Sequence, residues 1–234
     1  MPNDFFSTYK KLTHLDLSEN RRLSGVLPDF PTDSALQRLH LYNTNFSGPI
    51  PASIANLTQL VYMDLSGNCL TGVIPTSIGS LIQLESLDLS SNSIGGPVPS
   101  FETQAKLSLL FLYNNSLIGP IPMSLFCLPH LETLDLSYNQ LSGELGEFLN
   151  PSTSLLSIDL RNNQLQGRIP RSISKMPGLE SFYIASNNFS VELDMFNNLR
   201  NLTGLSVSNN KLIQDVSENN FHTFPKLYTI DLAS

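Results

Sequence analysis

The chain has 234 residues, 41% hydrophobic and only 14% charged, with a net charge of −7. This length suits one large domain or two small ones, and the apolar share suffices for a core. A net acidic chain with few Lys and Arg excludes a nucleic-acid partner, because such binding is driven by clustered cations. No stretch approaches the roughly 18 apolar residues of a membrane span, and the start, MPNDFFSTYKK, lacks the apolar run of a signal peptide.

From the N-terminus, residues 1–11 read as the tail of a preceding unit, with Met1-Pro2 standing where an Ile-Pro pair would fall. A unit then opens at Leu12 and recurs at Leu36, Leu60, Leu84, Leu107, Leu131, Leu155, Leu179, Leu202 and Leu227. The spacings are 24, 24, 24, 23, 24, 24, 24, 23 and 25 residues. Each unit follows L-x-x-L-x-L-x-x-N-x-L-x-G-x-I-P and a tail. The L-x-L-x-x portion alternates with period two, which predicts a short strand with inward leucines. Tail residues Ile54, Leu57, Ile78, Leu81, Leu125, Leu128, Ile173 and Met176 recur three apart, as one helical turn places inward side chains. One such unit cannot bury its own leucines, so the units must stack into one core, with their strands in a parallel sheet. Ten strands about 4.8 Å apart give a face roughly 43 Å long. The reading is a single domain over 1–234, with nine repeats over 12–226 and the start of a tenth over 227–234.

An asparagine column runs through Asn20, Asn68, Asn92, Asn115, Asn139, Asn163, Asn187 and Asn210, interrupted by Thr44. An amide both donates and accepts, so stacked asparagines can satisfy the backbone of the turns.

The units resemble the leucine-rich repeat, and the second half narrows the likeness. "GPIP" at Gly48 and Gly119, "GVIP" at Gly72, "GPVP" at Gly96, "GRIP" at Gly167 and "GVLP" at Gly25 resemble the plant-specific form. That form occurs in receptor-like proteins, receptor-like kinases and polygalacturonase-inhibiting proteins. The resemblance implies an α/β leucine-rich-repeat solenoid: a right-handed superhelix with a concave parallel sheet, a second short strand at G-x-I-P, and short 3-10 or irregular convex segments. It also implies a recognition ectodomain on the extracellular side of the plasma membrane, in defence or developmental signalling. A piece of a longer protein is expected, since the family's paired-cysteine cap, membrane helix and kinase are not found in the chain. Val191 stands for the motif Gly, while Asp194, Ser217 and Gly146 stand for its Pro. The lateral strand is therefore expected to become irregular toward the C-terminus.

Counting the first leucine as zero, outward positions fall at offsets 1, 2, 4, 6 and 7. Ten of the twenty acids lie there, among them Asp64, Asp88, Asp135 and Asp159, against only two cations, Arg38 and Arg161. The face is thus near −8 and suits a cationic or hydroxyl-rich partner. His40, Tyr42, Tyr62, Phe111, Tyr113, Tyr138 and Tyr183 share it, and core packing does not require outward aromatics. These residues form a candidate ligand-binding strip centred on Phe111 and Tyr113, for a peptide, protein or cell-wall glycan, with a co-receptor as a further partner. Five sequons head at Asn45, Asn56, Asn114, Asn188 and Asn201. Asn45, Asn56, Asn188 and Asn201 are expected to be accessible, and a glycan on Asn114 would stand beside Phe111 and Tyr113.

Cys69 and Cys127 lie in different places of the repeat frame and are not expected to pair. The aspartates recur once per unit on an open sheet, which does not suit a glycosidase pair or the 6–8 converging oxygens of a calcium site. His14, His40, His130 and His222 share no site. No catalytic residue, metal or cofactor is expected. The alternatives to a receptor segment are a secreted inhibitor of a wall-degrading enzyme and an interaction scaffold.

Overall fold

The computed structural model describes residues 5–213 and 226–233. Met1, Pro2, Ser217 and His222, which the sequence reading used, lie outside them.

Among the described residues, ten three-residue strands form one parallel sheet. They are His14–Asp16, Arg38–His40, Tyr62–Asp64, Ser86–Asp88, Leu109–Phe111, Thr133–Asp135, Ser157–Asp159, Ser181–Tyr183, Gly204–Ser206 and Thr229–Asp231. Each begins two residues after the leucine that opens its unit. Pairing follows chain order with no offset, so equivalent positions of successive units stand side by side. The central residue of each strand, a leucine in six and Met63, Ile158, Phe182 or Ile230 in the others, points inward and is fully buried in most units, as at Leu39, Leu87, Leu110 and Leu134. The convex side carries 3-10 turns at Ala52–Asn56, Thr76–Ser80, Met123–Cys127, Arg171–Lys175 and Leu193–Phe196. The first four start directly after the proline of I-P, and Ile54, Leu57, Ile78, Leu81, Leu125, Leu128, Ile173 and Met176 point into the core.

The asparagine column works as a ladder. Asn115 donates from Nδ2 to the carbonyls of Leu89 (2.9 Å), Leu112 (3.3 Å) and Tyr113 (3.3 Å), and its Oδ1 accepts the Ile94 N–H at 3.0 Å. One side chain therefore joins three carbonyls and an amide across two turns. At Thr44, where the column breaks, the hydroxyl reaches the Leu41 carbonyl at 2.8 Å and Asn68 Oδ1 at 2.6 Å.

The residue before each ladder position is left-handed, with φ between 50° and 61° at Glu19, Asn43, Gly67, Ser91, Asn114, Tyr138, Asn162, Ser186 and Asn209. Such a conformation costs a non-glycine residue roughly 1 kcal/mol. The ladder hydrogen bonds that follow offset it, since the reversal is what turns the asparagine under the strand.

A second, lateral set of strands pairs along the G-x-I-P segments. Toward the C-terminus the lateral strands become shorter, as expected, but among the described residues they remain paired. Asn188–Val191 pairs with Gln164–Arg168 on one side and Lys211–Leu212 on the other. Pairing uses backbone groups that any residue supplies. Val191 takes no left-handed turn and buries its side chain completely. Pairing also narrows earlier, to a single bridge from Val73 to Gly95.

A candidate recognition face

The outward aspartates have a local role that alternation alone does not reveal. Asp64 Oδ1 accepts the Ser66 N–H at 3.0 Å and its hydroxyl at 2.6 Å. Asp88 holds Ser90, and Asp135 holds Ser137, each at 2.9 and 2.6 Å. Asp16 and Asp159 accept the N–H two residues on at 2.9 and 3.0 Å. In each of these five units one carboxylate oxygen is therefore tied to the scaffold.

Burial pushes the Asp88 and Asp135 carboxyls above the ordinary carboxylate range, outweighing the lowering by Ser90 and Ser137. The charges of Asp64 and Asp135 push Asp88 the same way, and that of Asp159 acts likewise on Asp135.

Both cations assigned to this face are already engaged. The Arg38 guanidinium lies 4.9 Å from the centre of the Tyr62 ring. The Tyr62 hydroxyl donates to Glu85 Oε2 at 2.9 Å, which raises the phenol's pKa. Arg161 grips Asp159 with Nε at 3.0 Å from both oxygens and Nη2 at 2.6 Å from Oδ2. The same guanidinium lies 5.0 Å from the Tyr183 ring centre.

The twelve candidates thus separate. Tyr62, Asp159, Arg161 and Tyr183 are held by internal partners. His40, Tyr42, Phe111 and Tyr113 are half-buried, and Tyr138 is exposed. Among the described residues the hydroxyls of Tyr42, Tyr113 and Tyr138 make no hydrogen bond. Phe111 stands in register between Asp88 and Asp135. The structure brings Asp88, Phe111, Tyr113, Asp135 and Tyr138 together at mid-sheet and leaves His40 and Tyr42 nearer one end.

Of the sequon asparagines, Asn45, Asn114 and Asn188 are exposed. Asn114 donates to Ser91 Oγ at 3.2 Å. Asn56 and Asn201 are half-buried, with Nδ2 donating to the carbonyls of Phe30 (2.7 Å) and Pro177 (2.9 Å). On the convex side these amides join one turn to the turn before it. Cys69 and Cys127 are free thiols.

Sequence reasoning missed a lateral cleft of about 410 Å3 lined by Glu144, Glu147, Arg168, Arg171, Glu192 and Met195. Arg168 and Arg171 approach Glu192 at 3.4 and 3.8 Å. Glu147 accepts the backbone N–H groups of Arg171 and Ser172 at 2.6 and 2.8 Å. The available signal was the loss of the motif proline at Gly146 and Asp194, in units flanking the cleft.

Models described as leucine-rich repeat match residues 11–33, 34–94, 127–144 and 154–176, together more than half of the chain. The chain belongs to the leucine-rich repeat family. Its repeats are 44% identical over 54 residues to Receptor-like protein 6 of Arabidopsis thaliana, covering 23% of this chain and 5% of that protein. The leucine-rich repeat ectodomain of the plant membrane receptor kinase GASSHO1/SCHENGEN3 from Arabidopsis thaliana, in complex with CASPARIAN STRIP INTEGRITY FACTOR 2, is 30% identical with a TM-score of 0.91. That match covers 99% of this chain and 28% of the other. The ectodomain of the Arabidopsis receptor kinase HAESA, in complex with an IDA peptide hormone ligand, gives 31% identity and a TM-score of 0.84, covering 98% of this chain and 40% of the other. These leucine-rich repeats therefore span well under half the length of each relative. No helix among the described residues is long and apolar enough to cross a membrane.

Proposed function

We propose that this chain is a ligand-recognition segment of a plant cell-surface receptor ectodomain, binding a peptide or protein on its main sheet. The observation that carries the reading is the pair Phe111 and Tyr113. Both face outward at mid-sheet, both are half-buried, and among the described residues the Tyr113 hydroxyl makes no hydrogen bond. Rigid aromatics of this kind bury area on binding at low entropic cost. Peptide ligands in complexes of similar receptor ectodomains support the ligand class. The role is recognition and not catalysis: the outward aspartates are periodic and tied to their own turns. Within the longer protein this segment acts outside the cell and passes binding on through other parts or a co-receptor.

Glycan occupancy tests the location. Asn114 lies three residues from Phe111, and a sugar there would cover the strip. Mass spectrometry of secreted protein is expected to find Asn114 largely unmodified, with Asn45 and Asn188 occupied. Full occupancy at Asn114 would remove the proposed centre.

A further inference from the structure

We propose that the ligand presents a cationic side chain, Lys or Arg, that seats on the Phe111 ring between Asp88 and Asp135. This rests on the main-sheet reading above and adds the chemistry of the occupant.

The protein contains its own template for the arrangement. In the seventh unit Asp159 stands in register beside Tyr183 of the next unit. Arg161, two residues after Asp159, bonds that carboxylate and lies 5.0 Å from the Tyr183 ring centre. A carboxylate, a guanidinium and a ring are thereby joined across two strands. In the fourth unit Asp88 stands in register beside Phe111 of the next unit in the same way. The residue two after Asp88 is Ser90, so the chain supplies no cation there. Asp135 flanks the ring on its other side, again followed two residues later by Ser137. The carboxylate–aromatic pair is present twice around Phe111 without its arginine.

Charge complementarity points the same way. Arg38 and Arg161, the cations the sequence assigns to this face, are held on Tyr62 and Asp159. Asp88 and Asp135 are half-buried, and each has one oxygen committed to a serine. Burial, with the neighbouring carboxylates, raises both carboxyls, and the one cation that lowers Asp135, Arg161, is itself held on Asp159. Strands are about 4.8 Å apart, so the carboxylates flank the ring at a distance that a guanidinium or ammonium on its face can bridge.

The test is to pan a random dodecamer peptide library against the wild-type chain and against Asp88→Asn/Asp135→Asn. Asparagine keeps an Oδ1 acceptor for the serine N–H and hydroxyl while removing the charge and turning the other oxygen into an NH2 donor. Wild-type binders are expected to share a Lys or Arg at one position. Citrulline at that position should weaken binding by at least about tenfold, and the double asparagine variant should lose a similar factor. The citrulline arm uses wild-type protein, so it decides the matter even if the variant folds poorly. Binders that need Phe111 and Tyr113 but show no cationic preference overturn this inference and leave the main-sheet reading standing. Binders indifferent to Phe111→Ala/Tyr113→Ala, or a library without binders, overturn both.

Discussion

Asn139 illustrates how much one ladder residue carries. Its amide donates to the carbonyls of Leu112, Leu136 and Ser137 and accepts the Leu117 N–H, and the residue is buried. Asn139→Ala would leave Leu117 N–H without a partner in the core. The expected cost is about 2–4 kcal/mol, read as a lowered urea midpoint with an unchanged slope. Gln104 is the opposite case. It is fully buried in a column otherwise filled on either side by Leu81 and Leu128, and its Oε1 has no partner. Its Nε2 bonds the Ile78 carbonyl at 2.8 Å, but that carbonyl also accepts the Leu81 N–H at 3.1 Å. Gln104→Leu is therefore expected to stabilise the chain by about 1 kcal/mol, seen as a raised Tm; a lowered Tm would contradict this reading. The asparagine ladder was legible in the sequence because its spacing recurs with every unit. The role of Gln104 was not, because its unit is one residue short and the tail no longer aligns by simple counting. Nor was the aspartate–serine bond, since alternation gives the side a residue faces and not where its carboxylate turns.

At the level of elements, the lateral strand depends on its left-handed glycines for two separable reasons. Gly96 has φ +72°, and a Cβ there would lie 2.6 Å from Val73 Cγ1. Gly119 has φ +79° and nothing within 4 Å of the same added atom. Gly119→Ala should cost only the backbone strain, roughly 1 kcal/mol. Gly96→Ala should cost about 1–3 kcal/mol more, because Val73 must move. Equal losses in thermal unfolding would show that the contact with Val73 is unimportant. Repeat period, strand positions and a helical turn in the tail were legible from the spacing of apolar residues, and the 3-10 form of that turn from the family resemblance. The persistence of the lateral strand past Val191 was not, because the pairing is made by backbone groups and does not depend on the motif residues. In the lateral strand it is glycine that takes the left-handed positions, and Val191 avoids that turn.

Across the whole molecule, the main-sheet charge makes stability depend on pH and is the basis of the proposed binding. Asp88 and Asp135 have carboxyls raised above the ordinary value of 3.8, so the folded state holds protons that the unfolded state has released. Their contribution is fully present below the unfolded pKa and is lost as pH rises through the folded values. Asp16, Asp33, Glu147 and Asp231 are lowered and act in the opposite sense, so a wild-type pH curve mixes the two. Comparison with Asp88→Asn/Asp135→Asn isolates the raised pair. The variant should gain stability relative to wild type as pH rises from about 3.5 to 7, and a flat difference would contradict the assignment. The acidic, aromatic face was legible in the sequence as a composition of outward positions. Which aromatics are free was not, because Arg38 and Arg161 reach rings one unit away in a way that only the assembled sheet reveals. That division leaves Phe111 and Tyr113, at mid-sheet, as the proposed centre of recognition. The most direct test is calorimetric titration of one library-selected dodecamer into the wild-type chain and into Phe111→Ala/Tyr113→Ala, with folding of both checked by circular dichroism. A loss of at least about thirtyfold in affinity is expected for two central aromatic anchors. Unchanged affinity in a folded variant would contradict the account.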